Sequence, residues 1–303
     1  MRVRVTRDPE ECRALWERFF PARGATGLWE LREIFQRHFN RPILFAVAES
    51  EDGPVGLLPL SWLEEKGGWG FFPGETWSGK TWLEQNSIPL PEGEELSLLT
   101  GAVEGSLYLR YLTPGTGERF GLPVDEIGYL FHPPAYGYDY GEYLKEFSGK
   151  TLKKIRREIE ALEAKSVVIR RGVYEDAPLA LDLNEERFGE LSYFSDKRFR
   201  GAFLDMFGFF REKGWLTVTT VLIGGQVAAV DVGCLREGVH LVLAGGTSGD
   251  FPGVAKLINL HHIETACTER YEEVDFLCGD FTWKKIFHLT PRPLYLVERK
   301  GEK

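Results

Sequence analysis

Hydrophobic and polar positions change their period along this chain in a sequence that occurs twice. Residues 2–6 alternate Arg with Val as a short strand does, and Asp8-Pro9 then supplies an N-cap residue and a proline suited to the first helical position. Leu28, Leu31, Phe35 and Phe39 recur at spacings of three and four, which predicts a helix over 28–39. Apolar runs at 43–48, 55–62 and 69–72 read as a three-strand meander, with turns at Asp52-Gly53 and 64–68. A helix at 92–103 and a strand at 107–112 close this half.

Residues 113–143 are rich in Gly, Pro and Tyr and read as a connection, although six aromatics between Tyr129 and Tyr143 suit a packed or cleft-lining segment better than a loose one. The pattern then restarts. Leu152, Ile155, Ile159 and Leu162 mark one face of a charged helix that opens after Ser148. Helices at 177–188 and 197–212 precede strands at 216–223, 226–234 and 239–244, a Gly-rich turn at 245–253, a helix at 254–270, and strands at 274–278 and 293–297. Both halves thus run helix, helix, three strands, helix, strand. The reading is a mixed α/β (α+β) chain with two duplicated domains, 1–131 and 148–303, joined by an aromatic and Pro-rich linker at 132–147. The length of 303 residues suits two domains of roughly 150.

Composition narrows the classes. With 43% hydrophobic and 27% charged residues the chain can build sizeable cores, which excludes a mostly disordered protein. The N-terminus has no apolar run of signal-peptide type, and the longest uncharged stretch, 214–230, carries Gly224-Gly225 and reads as a hairpin, so no integral membrane segment is expected. Cys12, Cys234, Cys267 and Cys278 lie far apart and no His spacing suits a metal, so neither a disulfide framework nor a metal site is expected, and a cytoplasmic location is the default. Four Asn, three Gln and two Met point to a thermophile. Of the net charge of −9, residues 1–140 hold 13 basic and 21 acidic side chains, whereas 141–303 hold 24 and 25. The first half should repel nucleic acid, DNA included, and an anionic ligand belongs in the second.

Several motifs carry chemistry. Gly74-Glu75-Thr76-Trp77-Ser78-Gly79-Lys80-Thr81 fits the phosphate-cradling P-loop pattern, but Pro89 and Pro91 follow where a full helix should run, so nucleotide binding there is the least favoured reading. Lys150, Lys153, Lys154, Arg156 and Arg157 can grip phosphates, although Glu158, Glu160 and Glu163 are spaced to pair with them and give a solvated face. Asp231 interrupts a small-residue strand face (Val227, Ala229, Gly233), so it is either solvent-facing or cleft-lining, and in the second case it suits a base. His261 falls on the apolar stripe of its helix and reads as core, His262 and Glu264 as surface.

Ser148-Gly149-Lys150-Thr151-Leu152-Lys153-Lys154-Ile155-Arg156-Arg157, Pro252-Gly253 before a helix, and Val274-Asp275-Phe276-Leu277-Cys278-Gly279-Asp280 with Trp283-Lys284-Lys285-Ile286-Phe287 together resemble the GNAT-fold acyltransferases of the CelD/BcsL-like group. Val55-Gly56-Leu57-Leu58-Pro59-Leu60 is similar to that group's first half. The resemblance implies two tandem GNAT-like domains, related in architecture to the Fem-type aminoacyl transferases. It also implies an acyl-CoA or aminoacyl-tRNA donor. The donor's pyrophosphate would lie at Gly253, Val254, Ala255 and Lys256, but Asp250 stands where the family's acetyl-CoA enzymes carry Gln or Arg. A carboxylate about 4 Å from a phosphate costs on the order of 4 kcal/mol at an effective dielectric near 20.

Acyl transfer needs a base and a group that steadies developing charge. The resemblance assigns these to Asp280 and Lys284; Asp231 is a further candidate from its strand pattern, and Trp283 and Lys285, with Tyr138 and Tyr140 of the aromatic cluster, are candidate substrate contacts. A surface ion pair is the plain alternative for Asp280 and Lys284. The expected function is an acyl or aminoacyl transferase acting, in the cleft between the domains, on an amine or hydroxyl of a cell-envelope or polysaccharide precursor. The alternative is a non-catalytic module of the same fold that holds a sugar nucleotide or a protein partner.

Overall fold

Asp8 starts the first helix as its position predicts, its carboxylate accepting from the Glu11 amide at 2.8 Å while Pro9 fills the first turn. The computed structural model describes residues 1–20, 24–279 and 281–301. In chain order the strands are β1 (Arg2–Thr6), β2 (Ile43–Ser50), β3 (Gly53–Leu63), β4 (Gly68–Phe71), β5 (Thr76–Trp77), β6 (Lys80–Thr81), β7 (Ser106–Leu112), β8 (Val124–Phe131), β9 (Val167–Arg171), β10 (Leu216–Ile223), β11 (Gln226–Arg236), β12 (Val239–Thr247), β13 (Glu273–Cys278) and β14 (Thr290–Arg299). The helices are α1 (Pro9–Phe19), α2 (Trp29–Phe39), α3 (Ser97–Thr100), α4 (Pro114–Arg119), α5 (Tyr140–Leu144), α6 (Gly149–Glu163), α7 (Ala177–Phe188), α8 (Lys197–Glu212), α9 (Val254–Thr268) and α10 (Thr282–Ile286).

Two units emerge, Met1–Ile127 with Arg292–Lys303, and Gly128–Pro291. The segment 132–147 belongs to the second: Tyr143 is buried, donates to the Phe287 carbonyl at 2.9 Å and meets Phe131, Tyr136 and Phe147 edge-on.

In the first unit the sheet runs β1-β2-β3-β4-β7-β14, antiparallel except where β4 meets β7. Cys12, Leu15 and Trp16 of α1 share one face and pack into its core. Trp29 stacks on Phe72 at 5.2 Å, and Trp16 meets both rings. The guanidinium of Arg32 is buried below these rings, donating to the carbonyls of Thr26, Phe72 and Glu84, and burial lowers its pKa to about 10.

The second unit's sheet runs β8-β13-β12-β11-β10-β9, again with one parallel pair, β12 with β13. Helix α7 packs on β11 and β12, and α9 on β10, β11 and β13. Apart from the inserted β5–β6 pair, the order β1-α1-α2-β2-β3-β4-α3-β7 of the first unit recurs as β9-α7-α8-β10-β11-β12-α9-β13 in the second. The sixth strand of each sheet comes from elsewhere in the chain: β14 pairs with β7, and Gly128–Phe131 of β8 pair with β13.

Some elements differ from the sequence pattern. The helix expected at 92–103 shrinks to α3, because Glu92-Gly93-Glu94 forms a turn and little apolar periodicity drives the rest. The connection expected at 113–143 contains α4, β8 and α5, and β9 was hidden because Arg170 and Arg171 break its apolar run.

Candidate functional site

Strands β12 and β13 pair for only three residues, Val239–Leu241 against Glu273–Asp275, and then separate toward their C-terminal ends. Bulges bend both strands there. One extra residue of β12 sits opposite the Val232/Gly233 step of β11, and between the Asp275–Leu130 and Cys278–Gly128 pairs β13 places two residues where β8 places one. At the second bulge Leu277 adopts φ 57°, its amide held by Asp275 Oδ1 at 2.8 Å. The Lys284 ammonium donates to the carbonyls of Phe276, Leu277 and Cys278 at 2.9, 2.9 and 2.8 Å. An ammonium has three hydrogens, and here three carbonyls receive them.

The Lys284 ammonium thus lies under the end of β13 and not on the open surface. It is 2% exposed and locks the end of β13. Asp280 lies outside the described residues. Trp283 meets Phe276 and Phe287 edge-on at 5.6 and 5.5 Å, so most of its ring serves packing, while Lys285 is exposed.

The turn 248–253 joins β12 to α9. Gly253 has φ 96°, a conformation that favours glycine, and faces Glu158 and Leu162 of α6 at ordinary contact distance. The Lys256 ammonium is bound to Glu158, and the amides of Val254 and Lys256 donate to Phe251 O and Gly253 O. Ala255 lies in the first turn of α9, and Asp250 is exposed.

Asp231 faces the core side of the sheet, where its Oδ2 lies 3.0 Å from His262 Nε2, with the two side chains 9% and 5% exposed. This corrects two expectations: Asp231 does not face a cleft, and His262 is not on the surface. Beside them His240 bonds Thr217 at 2.9 Å, and burial, then the nearby His262 and Arg171, push its pKa well below the usual histidine value. His261 is half-buried, with its pKa lowered to about 4 chiefly by burial. The signal for this arrangement was Gly245-Gly246 inside a strand. A Cβ at Gly245 would lie 2.3 Å from Asp231 Oδ1, and one at Gly246 would lie 2.4 Å from the Ala180 carbonyl of α7.

Tyr138 and Tyr140 turn to neighbours. Tyr138 donates to Glu272 at 3.3 Å under the Arg270 guanidinium, 4.0 Å from its ring, and Tyr140 stacks on Tyr143 at 5.9 Å.

In the first unit, Gly74–Thr81 folds as the β5–β6 hairpin, with Ser78 and Gly79 both at positive φ in the turn, and no helix N-terminus follows it. The Glu75 carboxylate is buried and accepts from Thr81 Oγ1 and the amides of Trp82 and Leu83, filling the place of an anion with the chain's own. Burial raises its pKa against these bonds. A narrow pocket beneath the hairpin, lined by Arg32, Glu75, Asn86, Tyr108 and Arg110 among others, has room for one or two waters, about 20 Å³. None of the residues expected for acyl transfer lines it, whereas Gly74, Glu75, Thr76, Gly79 and Thr81 of the P-loop-like stretch do.

Residues 149–285 match the family model described as the acetyltransferase (GNAT) domain. The matched stretch lies within the second unit, Gly128–Pro291. A tandem GNAT protein from the clavulanic acid biosynthesis pathway superposes with a TM-score of 0.51 at 12% identity, covering 100% of both chains. FemX gives 0.57 at 9% identity over 96% of this chain and 95% of its own. The C-terminal domain of a putative lysylphosphatidylglycerol synthetase from Agrobacterium fabrum gives 0.55 at 11%, over 97% and 93%. At such identities the likeness is one of fold, a mixed α/β GNAT fold. No curated protein matches the chain in sequence.

Proposed function

We propose that this chain is an acyl or aminoacyl transferase of the CelD/BcsL-like, Fem-related kind, with its donor site in the second unit and an amine or hydroxyl of a cell-envelope or polysaccharide precursor as acceptor. The observation that carries this is the separation of β12 from β13. An extended amide-bearing donor arm can hydrogen-bond along the β12 segment that β13 leaves, and the C-terminal ends of the two strands bring its reactive end to the residues before α10. Asp280 is the proposed proton-transfer or orienting group. Lys284 acts through the backbone it holds, and Asp231 through His262.

GNAT domains in general take acyl-CoA. The turn before α9 fits its pyrophosphate poorly, since Asp250 is exposed there, Lys256 is bound to Glu158, and two of the amides are engaged. That observation counts against acyl-CoA at this turn; the second reading is a non-catalytic module of the same fold that holds a protein partner, or a sugar nucleotide at a place other than this turn, since a sugar nucleotide carries a pyrophosphate too. A thermal-shift panel of acetyl-CoA, longer acyl-CoAs, aminoacyl-tRNA, UDP-sugars and Mg-ATP separates the readings. Stabilisation by a CoA thioester or an aminoacyl-tRNA, with group transfer that Asp280→Asn abolishes, supports the transferase. A response to UDP-sugars alone would replace it with the binding module.

A further inference from the structure

Helix α6 presents Lys150, Lys153, Lys154 and Arg157 at spacings of three and four, a single stripe opposite the face that buries Ile155 and Leu162. All four are exposed or nearly so, with Arg156 beside them, and residues 147–157 include no acidic side chain. None of these five bases forms an ion pair among the described residues. Glu158, which the spacing offers as a partner, is taken by Lys256. Exposed cations without partners gain little for the fold and repel one another.

The stripe begins beside α10. Phe147, three residues before Lys150, meets Phe287 and His288 edge-on at 6.1 and 4.9 Å. At that end of the unit Phe281 is 61% exposed and Ile286 42%, with Lys285 exposed between them. The Lys284 ammonium sits 5.6 Å from the Phe281 ring, which holds the ring in place without covering it. The described residues leave a large part of both side chains open to solvent.

We propose that the basic stripe of α6, together with Phe281 and Ile286, docks the second unit peripherally on an anionic lipid surface. Basic side chains near such a surface contribute through its negative potential, and bulky apolar groups enter the boundary between headgroups and acyl chains. The apolar pair decides the occupant. A nucleic acid would use the cations but gives Ile286 nothing, whereas a bilayer takes both. The proposal does not depend on the transferase reading, since docking is measured without substrate.

The test is co-sedimentation of the full chain with phosphatidylcholine vesicles, with and without phosphatidylglycerol. Binding should require phosphatidylglycerol and fall as salt is raised. Lys153→Glu with Lys154→Glu should weaken it by about tenfold or more. Phe281→Ser with Ile286→Ser should weaken it at unchanged charge, and both variants should keep the parent melting temperature. Equal binding to the two vesicle types, or no loss in either variant, would overturn the proposal. So would binding of tRNA in place of vesicles, lost in the charge variant and kept in the Phe281/Ile286 variant, and so would release from vesicles by soluble coenzyme A, which would give the stripe to the donor site.

Discussion

Tyr111 in β7 and Leu277 in β13 hold the same position in the two units and the same backbone conformation, φ 57°. Each sits in a bulge on the strand that pairs in parallel for only three residues with its neighbour. The units answer this shared irregularity differently. In the first, Asn86 fills it: its Nδ2 donates to the Arg110 carbonyl at 2.9 Å, its amide to the Tyr111 carbonyl at 2.9 Å, and its own carbonyl accepts from Thr113. In the second, the Lys284 ammonium gathers the carbonyls of the bulge. A segment of the chain therefore runs along the β7 bulge in the first unit, and a single side chain holds the β13 bulge in the second. That difference is why the proposed donor site is placed in the second unit.

Lys284→Met should cost at least about 3 kcal/mol, because three buried carbonyls lose their donor while the packing of the stem is kept. Urea unfolding checks this. A loss below about 1 kcal/mol would show that water or a neighbour replaces the ammonium.

Gly245→Ala should destabilise the second unit by about 1–3 kcal/mol, since the new methyl meets Asp231 Oδ1 at 2.3 Å and cannot be placed without moving the carboxylate from His262. Asp231→Ala alone leaves His262 without its partner. The two changes should therefore be sub-additive in a double-mutant cycle by 0.5 kcal/mol or more. Full additivity would show that the two positions do not touch.

The repeated element order was legible because amphipathic helices and meander strands announce themselves by period. The small pieces that shape the site were not. A bulge leaves no compositional mark when its residue is Leu277 or Tyr111, and the local sequence does not say which carbonyls Lys284 will find. Asp231 stood out by its place on a small-residue face, but its partner lies 31 residues away on a helix whose two adjacent histidines, His261 and His262, differ by a single step of rotation. That step put the wrong one in the core. The GxxxxGKT pattern misled in the other direction, since its glycines serve a hairpin turn.

Stability should fall as the pH drops below about 6.5. His240 is buried with its pKa pushed well below 6.5, so the native state resists the proton that the unfolded chain takes up. Its contribution is whole above 6.5 and is lost on the way down to the folded value, at about 1.4 kcal/mol per pH unit. His261, lowered to about 4, acts in the same direction with a smaller weight because it is half-exposed. Urea midpoints at pH 7 and pH 5 should differ clearly in the parent and less in His240→Asn. An equal drop in both would assign the effect elsewhere.

Ending the chain at Leu289 should unfold the first unit, although that unit's other residues all lie before Gly128. It removes β14, whose Tyr295 and Val297 pair with Leu112 and Leu109 of β7, and with it Leu294, which is fully buried. It also removes Arg299, whose guanidinium donates to the carbonyls of Thr100, Val103 and Gly105 and so fastens the entry to β7. Loss of a buried strand exposes both the β7 edge and the apolar core beside it. Gly117→Ala gives a milder test in the full chain, because its methyl would lie 2.0 Å from the Tyr295 ring. Hydrogen exchange over residues 107–112 should accelerate in both variants, and by more in the truncation. Unchanged protection there after truncation would mean that β7 holds without the strand that arrives from the far end of the chain.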